Sequence, residues 1–463
     1  MKNFHRFLDA LSGATLALCG LGLSNLPLIR FFKGHCAKII ACDRRDKSEL
    51  SADVIKLLSN EGIELSLGEN YINNIGADVI FRTPGMPFFS PELVRARNRG
   101  AIVTSEMEIF FDLCPCDIIA VTGSDGKSTT TSIISEMLKE AGRSVHLGGN
   151  IGRPLLPLIK KITAEDIAVV ELSSFQLISM RKSPQIAVIT NVSPNHLDIH
   201  KDMAEYIDAK KNIILHQNAF GRAVLNLDNS ITNEFLNIMR GRTFFFSASQ
   251  KCKNGAFIFD KKIYFSQNGK EQLVMPANCI VLPGAHNLEN YLAAVAALWG
   301  IVPKEIMVKV ATKFKGLAHR TEFVRELHSV KYYNDSIATS PTRTIRGTLS
   351  LFPQKIILIA GGYDKNISFD ELGLVVTEKV KILILMGRTA EKIERAAKGS
   401  VKYKENCLHI IRVNDMEEAV TVARSLSIPG DVVALSPACA SFDLYTNFEA
   451  RGDHFKQLVK TFT

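Results

Sequence analysis

Short apolar runs rich in β-branched residues alternate with stretches of helical periodicity along almost the whole chain. The runs that predict strands are ATLALCG, AKIIACD, DVIFRTPG, AIVTS, DIIAVTG, SVHLGGN, IAVVELS, IAVITNV, RAVLNLD, KIILIAGG, KILILMG, LHIIRV and DVVALSPA. Continuous apolar strands that lead into helices are typical of parallel sheets covered on both faces. Ligands bind such sheets at the carboxyl ends of the strands. The pattern therefore predicts an α/β protein with its functional residues at the strand ends.

The order of these runs predicts three α/β domains. The first set of strands ends at Ser105, and the helical segments ENYLAAVAALW and PKEIMVKVATKF close a second set. We therefore place the domains at residues 1–105, 106–316 and 317–463. The length of 463 residues is consistent with this division, because a domain averages about 150 residues.

One segment near the start of the chain allows a second interpretation. No charged residue lies between Asp9 and Arg30, and Lys2 and Arg6 precede this gap, as in a signal peptide or a membrane span. The gap also contains Gly, Ser, Thr, Asn and Pro, which a strand ATLALCG, a glycine turn and the start of a helix explain. We expect the strand, and a cytoplasmic protein that is not an integral membrane protein.

Composition and charge narrow the function only slightly. Hydrophobic residues make up 46% of the chain and charged residues 22%, which is ordinary for a globular protein. The formal net charge of +9 suits anionic partners, but Lys and Arg are scattered, so we do not expect nucleic acid. The nine cysteines contain one close pair, Cys114 and Cys116, and predict neither a disulfide framework nor a zinc site. We interpret all nine as structural.

The segment DIIAVTGSDGKSTTTSIISEML carries the sharpest chemical signal. A buried strand leads into a glycine-rich loop, and a helix with apolar spacing follows. Backbone N–H groups of such a loop can surround a phosphate, the helix N-terminus adds positive potential, and the loop lysine adds a cation. Val121 replaces the first glycine of the GxxxxGK[ST] pattern, but the strand–loop–helix context still predicts ATP binding. The residues predicted to bind ATP are Gly123, Ser124, Asp125, Gly126, Lys127, Ser128 and Thr129.

A second glycine loop, GLGLSN, follows the first strand and is a weaker signal. A dinucleotide fingerprint needs a third small residue for helix–strand packing, and Asn25 stands in its place. Asp43, about twenty residues further on at a strand end, could accept hydrogen bonds from a nucleotide. The loop therefore indicates either a nucleotide site or a structural turn, and it does not separate NAD from another nucleotide.

Two further strand ends carry groups that bind metals. Glu171 ends the run IAVVELS, and His196 and Asp198 follow IAVITNV. A buried carboxylate needs a partner, and carboxylate and imidazole groups near phosphate suit Mg²⁺. A lone histidine is usually structural. These two strand ends follow the one at the glycine-rich loop, however, and three in order favour a metal site.

The last third of the chain contains a dense polar run, SPACASFDLYTNFEARGDHF, directly after a predicted strand. Its small residues would let backbone donors approach a ligand closely. We place Asp443, Glu449, Arg451 and Asp453 on the helix that follows. The alternative is a capped helix with a solvated charged face, which spacing alone does not exclude.

Ten motifs in chain order carry a specific resemblance. They are GSDGKST, HLGGNIG, VVELSSFQL, NVSPNHLD, YIDAKK, PGAHNLEN, GLAHR, YNDSIATSP, IAGGYDK and SPACASFDLYTNFEARG. Together they resemble the Mur ligase family from about Gly20 to Phe455, and the last two motifs with GLGLSN resemble its D-glutamate-adding members. The resemblance implies a Rossmann-like domain for a UDP-sugar, a central P-loop ATPase-type domain with a mostly parallel sheet, and a Rossmann-like C-terminal domain for the incoming amino acid.

The resemblance also implies an activity, that of a ligase in cytoplasmic peptidoglycan precursor synthesis. The carboxylate of UDP-N-acetylmuramoyl-L-alanine attacks the γ-phosphate of ATP, and the amine of D-glutamate attacks the resulting acyl phosphate. A tetrahedral intermediate then expels phosphate. Such chemistry needs positioning and charge neutralisation more than covalent work by the protein. The implied cofactors are ATP, two Mg²⁺ ions and a carbamylated Lys210, and the implied state is a monomer.

Residue roles follow from the motif positions. The implied catalytic residues are Lys127, which contacts the γ-phosphate, His196 and Lys210. The implied metal ligands are Ser128, Glu171, His196 and the carbamate of Lys210, with Lys211 as its solvent-facing neighbour. Further implied ATP contacts are Asn287, Asn290, Arg320 and Asp335. The implied UDP-sugar contacts are Leu23, Ser24, Asp43, Arg44, Thr83, Pro84, Gly85, Asn150, Ser173 and Gln176. The implied D-glutamate contacts are Thr339, Lys365, Ser441 and Phe448.

Two positions depart from the family pattern. Many relatives have a lysine where this chain has Ile337, so a cation near the incoming amino acid or nucleotide is absent here unless another residue replaces it. Tyr363-Asp364 stands where some relatives have Asp-Gly, which leaves the loop shape around Lys365 open. The alternatives are another Mur or folylpolyglutamate-type amino-acid ligase with a different acceptor, a nucleotide-binding regulator without turnover, and an NAD oxidoreductase. The absence of a DNPR-like run argues against the ligases that add a diamino acid.

Overall fold

The apolar runs form the strands of three sheets in the computed structural model, which describes residues 2–73, 75–195, 199–282, 284–364 and 367–462. The chain divides into two compact units, Met1–Ile280 with Ala285–Lys313, and Val281–Gly284 with Phe314–Thr463. The first unit holds two of the sheets and the second unit holds the third. The predicted α/β class with mostly parallel sheets is confirmed.

The first sheet is parallel throughout its described strands. These are β1 (Thr15–Cys19), β2 (Lys38–Asp43), β3 (Glu64–Leu67), β4 (Val79–Arg82) and β5 (Ile102–Thr104). Its helices are α1 (Lys2–Leu11), α2 (Leu26–Phe32), α3 (Ala52–Asn60), α4 (Pro91–Asn98) and α5 (Glu106–Leu113), with a 3₁₀ turn at Lys47–Glu49. The order β3-β2-β1-β4-β5 reverses direction between β1 and β4. Ligand crevices form at such reversals, beyond the carboxyl ends of the strands.

The second sheet has the strand order β14-β13-β12-β11-β10-β9-β6-β8-β7. Its strands are β6 (Asp117–Thr122), β7 (Val145–Gly149), β8 (Ile167–Glu171), β9 (Ile186–Ile189), β10 (Arg222–Asn226), β11 (Arg242–Ser247), β12 (Gly255–Phe259), β13 (Lys262–Gln267) and β14 (Lys270–Pro276). The helices are α6 (Lys127–Glu140), α7 (Ser174–Leu177), α8 (Met203–Leu215), α9 (Ser230–Glu234), α10 (Ala285–Leu298) and α11 (Lys304–Ala311), with 3₁₀ turns at Leu156–Lys161, Phe235–Ile238 and Ala277–Cys279. β6 lies between β8 and β9, so the ends of these three strands meet at one edge.

The third sheet fills the second unit. Its strands are β15 (Glu322–Leu327), β16 (Val330–Asn334), β17 (Ile356–Ala360), β18 (Val380–Leu385), β19 (His409–Arg412) and β20 (Val432–Leu435), in the order β15-β16-β20-β17-β18-β19. The helices are α12 (Pro341–Thr344), which continues into a π-helical segment at Ile345–Leu349, α13 (Asp370–Lys379), α14 (Ala390–Lys398), α15 (Met416–Ser425) and α16 (Phe448–Thr461). β15 is antiparallel and the rest are parallel, so most strand ends again share one edge.

The uncharged segment near the start of the chain forms β1, a glycine loop and the start of α2, as predicted. Pro27 lies in the first turn of α2, where its missing N–H sacrifices no helical hydrogen bond. Within the described ranges, no helix is long and apolar enough to cross a membrane.

The sequence patterns did not predict β3 or β11 to β16. Three of the connections there are two-residue hairpin turns, Asp260-Lys261, Asn268-Gly269 and His328-Ser329, with positive φ at every position. Turns of this geometry match the twist of antiparallel strands. Asn268-Gly269 is a recognised hairpin signal that the sequence does carry, whereas the other two pairs have no comparable signature.

A buried arginine joins the two sheets of the first unit. Arg82 ends β4 and is 1% exposed. Its guanidinium donates to Met86 O (3.2 Å) beside it, and to Phe175 O and Ser179 Oγ (both 2.8 Å) next to α7. A guanidinium can serve several acceptors at once because its donors form a planar fork. This buried side chain therefore links the end of β4 to the segment that follows β8.

Replacing this arginine tests the attachment. Arg82→Met leaves buried acceptors without donors, and each such group costs about 1–3 kcal/mol, so we expect the free energy of unfolding to fall by about 3 kcal/mol. Trp299, the single tryptophan, lies in the first unit and reports its urea unfolding by fluorescence. The exposed Arg95→Met is the control and should change stability by less than about 0.5 kcal/mol. Equal stabilities for the two variants would contradict the proposed attachment.

Candidate functional site

The glycine-rich loop predicted from the sequence connects β6 to α6. The helix begins at Lys127, and Gly126 before it has a φ of +77°, which glycine adopts without strain. Lys127 Nζ donates to the main-chain oxygens of Gly123 (2.9 Å) and Ser124 (2.8 Å). The lysine is thereby held over a loop whose N–H groups, at a helix N-terminus, are suited to a phosphate.

The loop that follows β9 fixes the conformation of the glycine-rich loop. Thr190 Oγ1 donates to Asp125 O (2.5 Å), and Asn191 Oδ1 accepts from Asp125 N (3.0 Å). The Ser193 N–H donates to Ser124 Oγ (2.9 Å). Sequence reasoning missed these supports because the partners lie 65 to 69 positions apart along the chain. The run IAVITNV indicates only that a strand ends nearby.

Asn287 and Asn290, both predicted to contact ATP, lie in the first half of α10 and are buried. Asn290 Oδ1 accepts from Thr130 Oγ1 (3.1 Å), and its Nδ2 donates to Asn287 Oδ1 (2.9 Å). A Cβ atom on Gly126 would overlap Asn290 Oδ1. The structure therefore places Asn290 directly against the glycine-rich loop.

This close approach predicts the effect of a methyl group. Gly126→Ala should abolish measurable ATP binding, because the new Cβ meets an amide that Thr130 and Asn287 hold in place. Gly142→Ala is the matched control, since Gly142 has a similar φ of +80° but no atom within 4 Å of the added Cβ. Both variants carry the same left-handed strain of about 1–2 kcal/mol, so only the overlap differs. Calorimetric titration with ATP measures the difference, and equal affinities would contradict it.

Glu171 combines burial with an unpaired oxygen. It ends β8 and is 1% exposed, and its Oε1 accepts from Asn150 Nδ2 (2.7 Å). Oε2 is buried with no hydrogen-bond partner among the described residues. Leaving a carboxylate oxygen in that state is costly, and a hard cation such as Mg²⁺ would satisfy it. The residue therefore fits the predicted metal site.

The structure describes only some of the other predicted metal ligands. His196 and Asp198 lie outside the described residues. Ser128 is buried in the first turn of α6. Among the residues that the structure describes, no three His, Cys, Asp or Glu side chains gather into a group that could hold a metal.

Lys210 lies on α8 beneath the glycine-rich loop and is 1% exposed. Its Nζ donates to Gly123 O (2.8 Å) and lies 4.6 Å from the centroid of the Tyr206 ring. Burial, and then the charge of Lys127, lower the pKa of Lys210 well below its ordinary value. The neighbouring Lys211 is partly exposed, as predicted.

One histidine at this site was not predicted. His200 is buried and stacks on the Phe175 ring, with centroids 4.9 Å apart and planes 5° apart. Its Nδ1 lies 2.9 Å from Glu205 Oε1, and its Nε2 lies 2.9 Å from Ser174 Oγ. The sequence pattern could not distinguish this histidine from others because its partners come from two different helices.

The residues predicted for a UDP-sugar gather where the strand order of the first sheet reverses. Leu23, which is 84% exposed, and Ser24 follow β1, whereas residues 83–85 follow β4. The two loops touch, because a Cβ atom on Gly20 would overlap the Thr83 side chain. The structure thus brings these residues together at the position where nucleotides bind doubly wound sheets.

Asn25 explains why the first loop departs from the dinucleotide fingerprint. Its side chain is fully buried, and Nδ2 donates to Cys19 O (2.9 Å) at the end of β1 and Phe81 O (3.2 Å) in β4. The amide therefore ties the two strands together at their carboxyl ends. A glycine could not make these bonds.

Asp43, at the end of β2, forms hydrogen bonds with the same loop. Its Oδ2 accepts from Leu21 N (2.7 Å), and both carboxylate oxygens accept from the Arg45 guanidinium (2.9 Å). Burial raises the pKa of Asp43, but the hydrogen bonds from Arg45 and Leu21 outweigh it and hold the pKa at about 2. Asp43 is therefore ionised at neutral pH and orients the loop. Arg44 beside it is exposed.

Ser173 and Gln176 lie just beyond Glu171, at the start of α7. Ser173 Oγ accepts from Gln176 N (3.3 Å), and Gln176 Oε1 accepts from Ser173 N (2.9 Å), which is a capping box. With Asn150 bonded to Glu171, these three predicted UDP-sugar contacts all surround the end of β8.

In the second unit, Asp335 follows β16 and is buried. Its Oδ1 accepts from Thr321 N (3.1 Å), and its Oδ2 accepts from Thr348 Oγ1 (2.6 Å) and Ser436 Oγ (3.0 Å). Burial raises the pKa of Asp335, while these hydrogen bonds and the charge of Arg320 oppose the rise. Asp335 thus fixes the loop that carries Arg320. Both residues were predicted to contact ATP.

Arg451 is the central connection of the second unit. It is 1% exposed on α16, and it donates to Ser336 Oγ (3.0 Å), Ala440 O (3.1 Å) and Cys439 O (3.0 Å). Burial lowers the pKa of Arg451 to about 10, so the side chain stays charged at neutral pH. One guanidinium therefore joins α16 to the loops after β16 and β20.

One expectation about this region was wrong. The helix begins at Phe448 with Asn447 as its cap, so Asp443 precedes the helix rather than lying on it. Asp443 Oδ2 instead accepts from Arg388 N (3.1 Å) in the loop after β18. The alternative of a capped helix with a solvated charged face fits Glu449 and Asp453, which are exposed, but not Arg451, which is buried.

The residues predicted for D-glutamate lie on converging loops of the second unit. Thr339 follows β16, Ser441 follows β20, and Phe448 opens α16. Lys365 lies outside the described residues. The Tyr363 N–H donates to Ala440 O (2.9 Å), so the unusual residue at this position leaves its loop attached to the one that carries Ser441.

Known sequences match this chain along its whole length. The family description "Mur ligase middle domain" matches residues 121–298, and "Mur ligase, glutamate ligase domain" matches residues 319–439. The UDP-N-acetylmuramoylalanine–D-glutamate ligase of Acetivibrio thermocellus is 49% identical, covering 98% of each chain. The enzyme of the same name from Clostridium acetobutylicum is 48% identical, covering 99% of each chain.

Solved structures share the fold at low sequence identity. UDP-N-acetylmuramate–alanine ligase from Thermotoga maritima aligns with a TM-score of 0.59 at 16% identity, covering 97% of this chain and 99% of that one. A pseudomurein peptide ligase type C from Methanothermus fervidus aligns with a TM-score of 0.55 at 18% identity and the same coverage. These likenesses confirm the predicted three-domain architecture.

Proposed function

Because the chain belongs to the Mur ligase family, we propose that it joins D-glutamate to UDP-N-acetylmuramoyl-L-alanine and converts ATP to ADP and phosphate. The observation that carries this proposal is 49% identity over 98% of both chains to a ligase of that name. The chain is thus an ATP-dependent ligase of peptidoglycan precursor synthesis. The alternatives of a regulator without turnover and an NAD oxidoreductase receive no support from these relatives.

The geometry of the first unit supports the phosphoryl-transfer half of this reaction. The glycine-rich loop and Lys127 bind the phosphates of ATP, and Asn290 holds the loop in shape. Ser128, Glu171, His196 and the Lys210 carbamate are the proposed Mg²⁺ ligands, and the unpaired Glu171 oxygen fits that role. Bound Mg²⁺ would neutralise charge on the transferred phosphate. Leu23, Ser24, Asp43, Arg44 and residues 83–85 hold the UDP end of the acceptor.

The second unit supports the amino-acid half. Thr339, Ser441, Phe448 and Lys365 hold D-glutamate so that its amine can attack the acyl phosphate. Arg451 fixes the loops that present the first three, and Asp335 fixes the loop of Arg320, a proposed ATP contact. The protein contributes mainly position and charge, which is what phosphoryl and acyl transfer require.

The reaction is tested by phosphate release. With ATP, Mg²⁺ and UDP-N-acetylmuramoyl-L-alanine, we expect release with D-glutamate and not with L-glutamate, L-alanine or meso-diaminopimelate. Release with one of the other amino acids would keep the mechanism but assign the chain to a sister activity. If no phosphate is released with any of the four amino acids, the proposal is overturned in favour of a nucleotide-binding regulator.

Carbamylation of Lys210 is the second element of the proposal. The amine must be neutral to attack CO₂, forming an N–C bond and releasing one proton, and an ordinary lysine is almost fully charged at pH 7. Burial and then Lys127 lower the pKa of Lys210, which raises the neutral fraction of its amine above that of an ordinary lysine. The resulting carbamate is an anionic oxygen ligand of the kind that Mg²⁺ prefers.

Removing the amine tests this assignment. Lys210→Ala should lower turnover by at least about 100-fold, since loss of a charge-stabilising group in such sites costs that much. Short-chain carboxylates should restore part of the activity by replacing the carbamate. Lys211→Ala, which alters the adjacent and partly exposed residue, is the control and should retain activity. A carbamate signal from ¹³CO₂ in the NMR spectrum of the wild type, absent from Lys210→Ala, would confirm the modification, and an equal signal in both would exclude it.

Three further proposals concern the whole chain. We place its domains at residues 1–105, 106–316 and 317–463, and each contains one of the three sheets. We assign the protein to the cytoplasm, where its nine free cysteines would stay reduced. We expect a monomer without nucleic-acid partners, which size-exclusion chromatography with light scattering can check.

A further inference from the structure

An arginine of the second unit shares an acceptor with the proposed amino-acid site. Arg343 lies on α12, and its Nη1 donates to Ile337 O (3.3 Å). The Thr339 N–H donates to the same oxygen (2.8 Å). Two donors that converge on one carbonyl oxygen are necessarily close neighbours. The guanidinium therefore lies beside Thr339, which we have proposed as a D-glutamate contact.

The segment that carries this arginine is firmly held. The next residue, Thr344, is buried, and its hydroxyl donates to Ser436 O (3.3 Å) and lies 3.0 Å from Ser436 Oγ. Ser436 Oγ also bonds to Asp335 (3.0 Å). Pro341 fixes the first turn of α12 and is buried. The position of Arg343 is thus set by the loops after β16 and β20, although its own side chain is exposed.

The guanidinium has donors to spare. It carries five N–H groups in a planar fork that matches a carboxylate, and the bond to Ile337 uses one of them. Within the described chain, no Asp or Glu lies within ion-pair distance of Arg343. The loop DSIATSP at residues 335–341 contains no cation of its own. Arg343 is therefore the cation that this loop holds next to Thr339.

We propose that Arg343 binds a carboxylate of the incoming amino acid. This inference rests on the proposed function and adds a residue to the set that holds D-glutamate. The commoner role of an exposed arginine is to improve solvation, with no defined partner. The shared acceptor with Thr339 and the fixed helical turn distinguish Arg343 from such a residue.

Steady-state kinetics of phosphate release test the proposal. For Arg343→Ala we expect the KM for D-glutamate to rise about 10- to 100-fold, the range for losing charge-assisted hydrogen bonds. The KM values for ATP and UDP-N-acetylmuramoyl-L-alanine should stay close to those of the wild type. Arg343→Lys keeps the charge but loses the fork, so it should recover only part of the affinity. Arg346→Ala, an exposed arginine three residues further on, is the matched control and should resemble the wild type.

Acceptor analogues identify the carboxylate. D-Glutamine lacks the charged γ-carboxylate, and D-isoglutamine lacks the α-carboxylate. Arg343→Ala should leave the KM nearly unchanged for the analogue that lacks the carboxylate bound by Arg343, because that contact is already missing. Equal losses for D-glutamate and both analogues would show that Arg343 acts on the loop rather than on a carboxylate, and would overturn the proposal. Thermal melting of each variant confirms that the fold is intact.

The outcomes separate this inference from the proposed function. If the wild type releases no phosphate with D-glutamate, the proposed function fails and the inference fails with it. If the wild type is active and Arg343→Ala has an unchanged KM for D-glutamate, the inference alone is wrong. A rise confined to the KM for ATP would reassign Arg343 to the nucleotide and also overturn it.

Discussion

A single main-chain oxygen in the first unit accepts hydrogen bonds from two lysines. Gly123 O accepts from Lys127 Nζ (2.9 Å), which comes from α6, and from Lys210 Nζ (2.8 Å), which comes from α8. Burial, and then the positive charge of Lys127, lower the pKa of Lys210. The glycine-rich loop therefore has two roles. It is the proposed phosphate cradle, and its Gly123 carbonyl holds the lysine with the lowered pKa directly beside that cradle.

The same rule applies to the strand ends of each of the three sheets. The carboxyl ends of parallel strands lie at one edge of a sheet, so residues far apart in sequence become neighbours. Glu171 at the end of β8, the loops after β1 and β4, and the residues Thr339 and Ser441 are placed in this way. The strand pattern itself predicted Glu171, because a strand end is a local signal, carried by an apolar run that stops at a polar residue. Thr339, Ser441 and the loop after β4 were instead implied by the resemblance of their motifs to the family, and β16, which precedes Thr339, was not predicted.

Other features of the site could not be predicted, for a physical reason. Arg451, His200 and Arg82 are defined by partners on other elements, and their burial follows from packing that no local pattern records. A charged residue on a helix predicts solvent exposure, yet Arg451 is buried because oxygens on two loops satisfy it. The antiparallel strands β12 to β15 were missed because two of their turns lack the glycine or asparagine that normally marks them.

The guanidinium of Arg82 also bears on how such a chain can be recombined. The first sheet belongs to the domain that we propose binds the UDP end of the acceptor, and exchanging that domain between related chains would be a natural route to a new specificity. The arginine, however, donates to acceptors in and just after α7, namely Phe175 O and Ser179 Oγ. A transplanted domain would bring a buried cation that finds its acceptors only where the host offers the same carbonyl and hydroxyl. Exchange of this domain is therefore limited by buried side chains such as Arg82 at the junction of the two sheets, as well as by the ligands on either side of it.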